Sequence, residues 1–141
     1  MTPVLRLGSW DELGAEAYSL RHAVFVLEQG VPVELEHDEH DATALHVLLF
    51  DDLGNVLATG RLLADGHIGR VAVLAAHRHR GYGTRIMQAL IAEAGRRGHT
   101  CLLIHAQTNA QGFYAALGFE PLGQIFMEAG IPHVGMQLKP G

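Results

Sequence analysis

The ten residues AAHRHRGYGT, Ala75 to Thr84, constrain this chain more than any others. They follow an apolar run, Ile68 to Leu74, that reads as a strand, and they lead into Gly81 to Arg97, where Ile86, Leu90, Ile91 and Ala94 recur along one helical face. Arg96 and Arg97 suit the last turn of that helix, and Gly98 ends it. Arg78, Gly81 and Gly83 therefore stand as R-x-x-G-x-G at a strand-to-helix turn. A helix start leaves backbone N–H groups unpaired and carries the positive end of the macrodipole, so it is an anion site. Glycine lacks the Cβ that would hold a phosphate away, and it adopts the dihedrals that turn successive N–H groups inward. Thr84 adds a hydroxyl donor. The same glycines would also permit a tight turn with no ligand. Two rival phosphate motifs fail on spacing: a dinucleotide fingerprint needs glycine where Ile86 stands, and a P-loop needs a lysine, of which none precedes Lys139.

The rest of the chain reads as short alternating elements. Val4 to Leu7 is a strand, and Ser9 with Glu12 has the capping-box spacing for a helix from Trp10 to Glu28. Leu13, Ala17, Leu20, Val24 and Leu27 give that helix one buried face, and Gly30 and Pro32 stop it. Ala44 to Phe50 and Val56 to Leu63 flank the turn formers Asp51 to Asn55, as in a β-hairpin. Cys101 to Ala106 is a strand, Asn109 to Leu117 a short helix, and Phe119 to Met127 with Val134 to Leu138 two further strands. The order is β α β β β α β α β β, without linker or repeat, so residues 1–141 are expected to form one α+β domain.

Composition removes several function classes. Net charge is −5, with only 10 Lys and Arg, so there is no basic field for a nucleic-acid backbone. No apolar run approaches the roughly 20 residues that cross a bilayer, and no export signal is legible at the start, so no membrane association and a cytoplasmic location are expected. The lone Cys101, in an apolar run, reads as a small hydrophobe. The 10 histidines are too scattered to suggest a metal site.

At the glycine turn the chain resembles the GNAT superfamily, the GCN5-related N-acetyltransferases, whose acetyl-CoA signature is Q/R-x-x-G-x-G/A after a central strand. VAVLAAHRHRGYGTRIM and NAQGFYAALGF are similar to the family's central strand, pyrophosphate loop and later helix. RHAVFVLEQGVPVELEHDEHD, IHAQ at 104 to 107 and EAGIPHVGM at 128 to 136 resemble its ElaA and YjcF group. The resemblance implies a mixed, mostly antiparallel sheet of about six or seven strands flanked by helices. It also implies direct acetyl transfer from acetyl-CoA to an amine, with coenzyme A as co-substrate and no metal.

By the same resemblance, the backbone of Val71, Ala72 and Val73 pairs with the pantetheine arm, and Arg78, His79, Arg80, Gly81, Tyr82, Gly83 and Thr84 hold the diphosphate. The strands Ile68 to Leu74 and Cys101 to Ala106 should splay, placing the thioester near Val73 and His105. Tyr114 stands at the general-acid position, with Asn109 at the preceding helix start. Glu36, His105, Glu128 and His133 all qualify as general base; His105 and His133 are favoured, with Gln107 orienting substrate or water.

The segment Glu34 to Asp41, ELEHDEHD, is too charged for a core and reads as an exposed loop. It lacks the spacing of a metal site. It is either a solvated loop or, as the resemblance implies for the segment after the first helix, a lining of the acceptor site, where Glu36 and Asp38 would attract a cationic amine. A polyamine, aminoglycoside-like or amino-sugar acceptor fits that rim, and the sparse Lys and Arg argue against a phosphorylated one. Two further functions stay open: acetylation of a protein or peptide amine, and a non-catalytic acetyl-CoA-binding module. Hairpins and sheet edges in such proteins often support dimers, so a homodimer is a candidate assembly.

Overall fold

Ser9 begins the first helix as its spacing predicts. Its hydroxyl accepts from the Glu12 N–H at 3.3 Å while the Glu12 carboxylate accepts from the Ser9 N–H at 3.0 Å. In the computed structural model, which describes residues 3–139, this helix α1 (Trp10–Arg21) follows strand β1 (Val4–Gly8) and continues through His22–Glu28 in π geometry. The segment read as an exposed loop instead holds a short helix α2 (Val33–Glu36) and a 3₁₀ turn at Glu39–Ala42. Next come β2 (Leu45–Phe50), β3 (Val56–Leu62), β4 (His67–Val73), α3 (Tyr82–Arg96), β5 (Leu102–Gln107), α4 (Gln111–Ala116), β6 (Glu120–Glu128) and β7 (Ile131–Leu138). Of the domain expected over 1–141, residues 1, 2, 140 and 141 lie outside the described residues.

The seven strands form one sheet in the order β1-β2-β3-β4-β5-β7-β6. Every neighbouring pair is antiparallel except β4 and β5. Strand alternation divides the core between the two faces. Val47 and Leu49 of β2 pack with Ile86, Met87 and Leu90 of α3, whereas Leu48 between them packs with Leu13 and Ala17 of α1. Each such fully buried aliphatic side chain contributes roughly 1.5–3 kcal/mol of transfer free energy. The two helices thus clamp the sheet from opposite sides and fix β4 between them. Among the described residues no helix is long and apolar enough to cross a membrane.

Two features of β4 shape the site. Its pairing with β3 shifts register between Thr59 and Arg61, an extra residue at Arg70, which takes a positive φ of 51°. Its parallel pairing with β5 is confined to His67 with Leu103 and Ile68 with Ile104. Beyond Ile68 the strands part, as the resemblance implied.

Candidate active site

The end of β4 runs through a 3₁₀ turn at Ala75–His77 into residues 78–81 and then α3. His79 and Gly81 both adopt left-handed backbone, with φ of 65° and 80°. Gly81 is the N-cap of α3, a position where a Cβ is strained. Among the described residues, no protein acceptor reaches the amides of residues 79–84, and the first helical N–H to close is that of Arg85, on the Gly81 carbonyl at 3.1 Å. Arg78 differs from its neighbours. Its N–H reaches Ala75 at 3.5 Å, its Nε donates to the Val73 carbonyl at 3.0 Å, and its two Nη atoms donate to the Glu28 carboxylate at 2.6 and 2.7 Å. The Arg78 hydrogen bonds hold the Glu28 carboxyl below its ordinary pKa.

From this turn a cavity of about 1080 Å³ extends along the parting of β4 and β5. Gly81, Gly83, Val73, His105 and Tyr114 line it. The Leu74 N–H donates to Leu57 of β3, so by strand alternation the Val73 N–H faces the parting. Tyr114, on α4, packs against Phe113 and Phe119 at ring separations of 5.0 and 6.1 Å. Burial pushes its phenol up to about 12, so it keeps its proton at neutral pH.

Three polar residues meet across β5, β6 and β7. His105 Nδ1 is 3.0 Å from Glu128 Oε1, and His133 Nε2 is 3.7 Å from Glu128 Oε2. His133 Nδ1 lies 2.7 Å from the Ile131 carbonyl. A carbonyl only accepts, so Nδ1 carries the hydrogen and Nε2 faces the carboxylate. Phe126 stacks on His133 and meets His105 edge-on. Gln107 donates to the Gln29 side chain at 2.9 Å, tying β5 to the end of the first helix. Asn109 also borders the cavity.

The acidic segment departs from expectation. Glu36 is 2% exposed and Asp41 0%. Arg21 binds Glu36 and donates to both Asp41 oxygens at 2.7 and 3.0 Å. Arg61 donates to both Asp38 oxygens at 2.6 and 2.7 Å and to Asp41 at 2.9 Å. Arg70 reaches the carbonyls of Glu36 and Leu35 and, at 3.2 Å, Asp38 Oδ2. Burial opposes ionisation of Asp41, but hydrogen bonds and charge from Arg21, then Arg61, outweigh it and hold the carboxyl far below the usual carboxylate range. The segment is therefore no acidic rim: Glu36 and Asp38 border the cavity with their carboxylates already neutralised by arginine. Sequence reading missed Arg21, Arg61 and Arg70. A usable signal existed, since eight consecutive mostly charged residues need counterions if folded, and Arg61 stands alone in the apolar run VLATGRLL. Among the described residues no cluster of three or more His, Cys, Asp or Glu is placed to hold a metal.

A seven-stranded sheet that parts beside a glycine turn of unpaired amides defines a class of acyltransferase, and comparison with known proteins agrees. A family model for an acetyltransferase (GNAT) domain matches residues 11–140, and the chain belongs to that family. Within it the chain falls with the ElaA and YjcF group. It is 38% identical over 129 residues to the uncharacterized N-acetyltransferase YjcF of Bacillus subtilis, covering 89% of this chain and 92% of the relative. An acyl-CoA N-acyltransferase from Pseudomonas aeruginosa superposes with a TM-score of 0.85 at 30% identity, over 96% of this chain and 99% of the other. Escherichia coli ElaA gives the same TM-score and coverage at 29% identity. The protein is thus a GNAT-type acyltransferase.

Proposed function

We propose that this protein is a cytoplasmic, single-domain N-acetyltransferase that moves the acetyl group of acetyl-CoA directly to the primary amine of a small-molecule acceptor. The observation that carries this reading is the run of unpaired amides at residues 79–84 opening onto the parted strands. Those donors suit a diphosphate: each hydrogen bond to a charged oxygen is worth roughly 1.5–3 kcal/mol, and Thr84 can add its hydroxyl. The Arg78 side chain joins them only if Glu28 releases it. The free edge of Val71 and Val73 offers backbone groups to a pantetheine arm laid in as an extra strand.

Acetyl-CoA supplies the thioester carbon that the amine attacks. The Val73 N–H donates to the carbonyl oxygen as negative charge develops there. Glu128, set between two imidazoles, draws in the cationic amine, and His105 takes the proton that leaves nitrogen. Nitrogen then forms its bond to the acetyl carbon while the carbon–sulfur bond breaks, and the second proton that nitrogen sheds returns by way of water to the phenolate that Tyr114 becomes. Tyr114 gives its phenolic proton to the departing thiolate, which a pKa of about 12 allows because the phenol is intact until that moment. Gln107, held by Gln29, orients acceptor or water beside His105.

A thiol-release assay with acetyl-CoA against a panel of small amines and peptides tests the reading. Turnover with a small amine and none with peptides is the expected result. Failure of acetyl-CoA to bind in calorimetry would overturn it.

A further inference from the structure

At the acceptor end three arginines stand against three carboxylates, Glu36, Asp38 and Asp41, but the hydrogen bonds between them are unevenly shared. Arg21 has Asp41 in a two-pronged contact plus Glu36, and Arg61 has both Asp38 oxygens plus Asp41. Arg70 is left with two backbone carbonyls and a share of one Asp38 oxygen that Arg61 already holds at shorter range. Of its five N–H donors, the two on Nη1 meet no protein acceptor among the described residues. Arg70 borders the cavity with its side chain 27% exposed. Burial and the neighbouring Arg61 charge both press against its protonated form, so a further anion would relieve it.

A second observation points the same way. Arg61 is 5% exposed and borders the same cavity, and its Nε has no hydrogen-bond partner. An orphaned guanidinium donor at this depth costs stability unless something satisfies it. The backbone is also unusual here: Arg70 occupies the bulge of β4 in left-handed conformation without being glycine, the kind of strain that concentrates at binding sites.

Resting on the transferase reading, we infer that the acceptor is an amine that also carries an anionic group, a carboxylate or a phosphate, and that this group is seated on the Arg70 guanidinium. The amine end belongs to Glu128, whose carboxylate borders the cavity between His105 and His133 with no arginine against it. The two ends lie close. His67, three residues before Arg70 on β4, meets His105 edge-on at 5.9 Å, and three residues of strand span about 10 Å. Amine and anion are therefore separated by the length of a small metabolite rather than of a polymer. Arginine is sparse in this sequence, yet three arginines border this cavity, with Arg61 and Arg70 at its acceptor end, so their placement favours an anionic acceptor where scarcity alone argued against one.

Matched acceptor pairs test the assignment: cadaverine against lysine for a carboxylate, and glucosamine against glucosamine 6-phosphate for a phosphate. The anionic member of one pair should show a kcat/KM higher by about tenfold or more, carried mainly by KM, and the pair that responds identifies the anion. In R70Q that ratio should collapse, and in R70K it should be partly kept. Equal kcat/KM within both pairs, or a preference that survives R70Q, would overturn the proposal. Should R70Q fail to fold, the wild-type protein still decides. Acetate or inorganic phosphate should inhibit competitively against the acceptor, and inhibition competitive only against acetyl-CoA, or none, counts against an Arg70 site. Calorimetry separates the two readings, because intact acetyl-CoA binding with no anion preference sinks only the Arg70 assignment. Absent acetyl-CoA binding sinks both.

Discussion

Tyr114 shows how one side chain is prepared by its surroundings. Burial beside Phe113 and Phe119 raises its pKa to about 12, so the phenol stays protonated well above neutral pH. Tyr114→Phe keeps the packing and deletes only the donor. Turnover should fall by about 10²–10⁴-fold while the acetyl-CoA dissociation constant stays within roughly twofold, as read by thiol release and calorimetry. Full turnover in that variant would remove Tyr114 from the reaction. The wild-type pH–rate profile should likewise show no alkaline limb from this group until pH approaches 12. Arg78 makes a contrasting case. Its guanidinium is held by Glu28, an acidic side chain that would compete with the phosphate of the proposed co-substrate. Glu28→Gln weakens that clamp. Because the pair is exposed, it is worth at most about 1 kcal/mol, so acetyl-CoA should bind tighter by up to roughly fivefold in calorimetry. Weaker binding in the variant would mean that the pair braces the site rather than competes for it.

At the scale of elements, what could be read in advance followed local chemistry. The Ser9 and Glu12 capping box, the apolar face of α3 and the glycine turn before it are each written in a few neighbouring residues, and each formed as its pattern predicts. The α1 helix keeps its length but passes into π geometry at His22, which no periodicity over Leu13 to Leu27 distinguishes from an α-helix. The acidic segment could not be read the same way. Whether ELEHDEHD is solvated or folded depends on cations from elsewhere: Arg21 lies 15 residues before Glu36, and Arg61 lies 20 after Asp41. Only the tertiary fold brings those charges together. The same holds for Glu128 of β6, which meets His105 of β5 across 23 residues, so these candidate bases could be named in sequence but not joined.

For the molecule as a whole, the Arg21, Glu36, Asp41 and Arg61 cluster couples the first helix, α2 and β3 through buried charge. Removing one partner leaves the others desolvated and unpaired. Arg21→Met should therefore cost about 3–5 kcal/mol in urea unfolding, far more than an exposed pair would. The sign of the pH dependence follows from Asp41 and Asp38, both held below their ordinary values by arginine despite burial. Stability should be level near neutrality and decline as pH falls below about 4, where the unfolded chain takes up protons that the folded one resists. A different weakness comes from the parting of β4 and β5. Two residue pairs are all that knit the leaf β1 to β4 to the leaf β5 to β7 along the ladder, so the free protein is a hinged book whose spine is half sewn. A long thin molecule threaded down that seam would stitch it shut. Amide protons of Val71 and Val73 should then exchange more slowly, and the enzyme caught between turnovers should be the form that proteases find first.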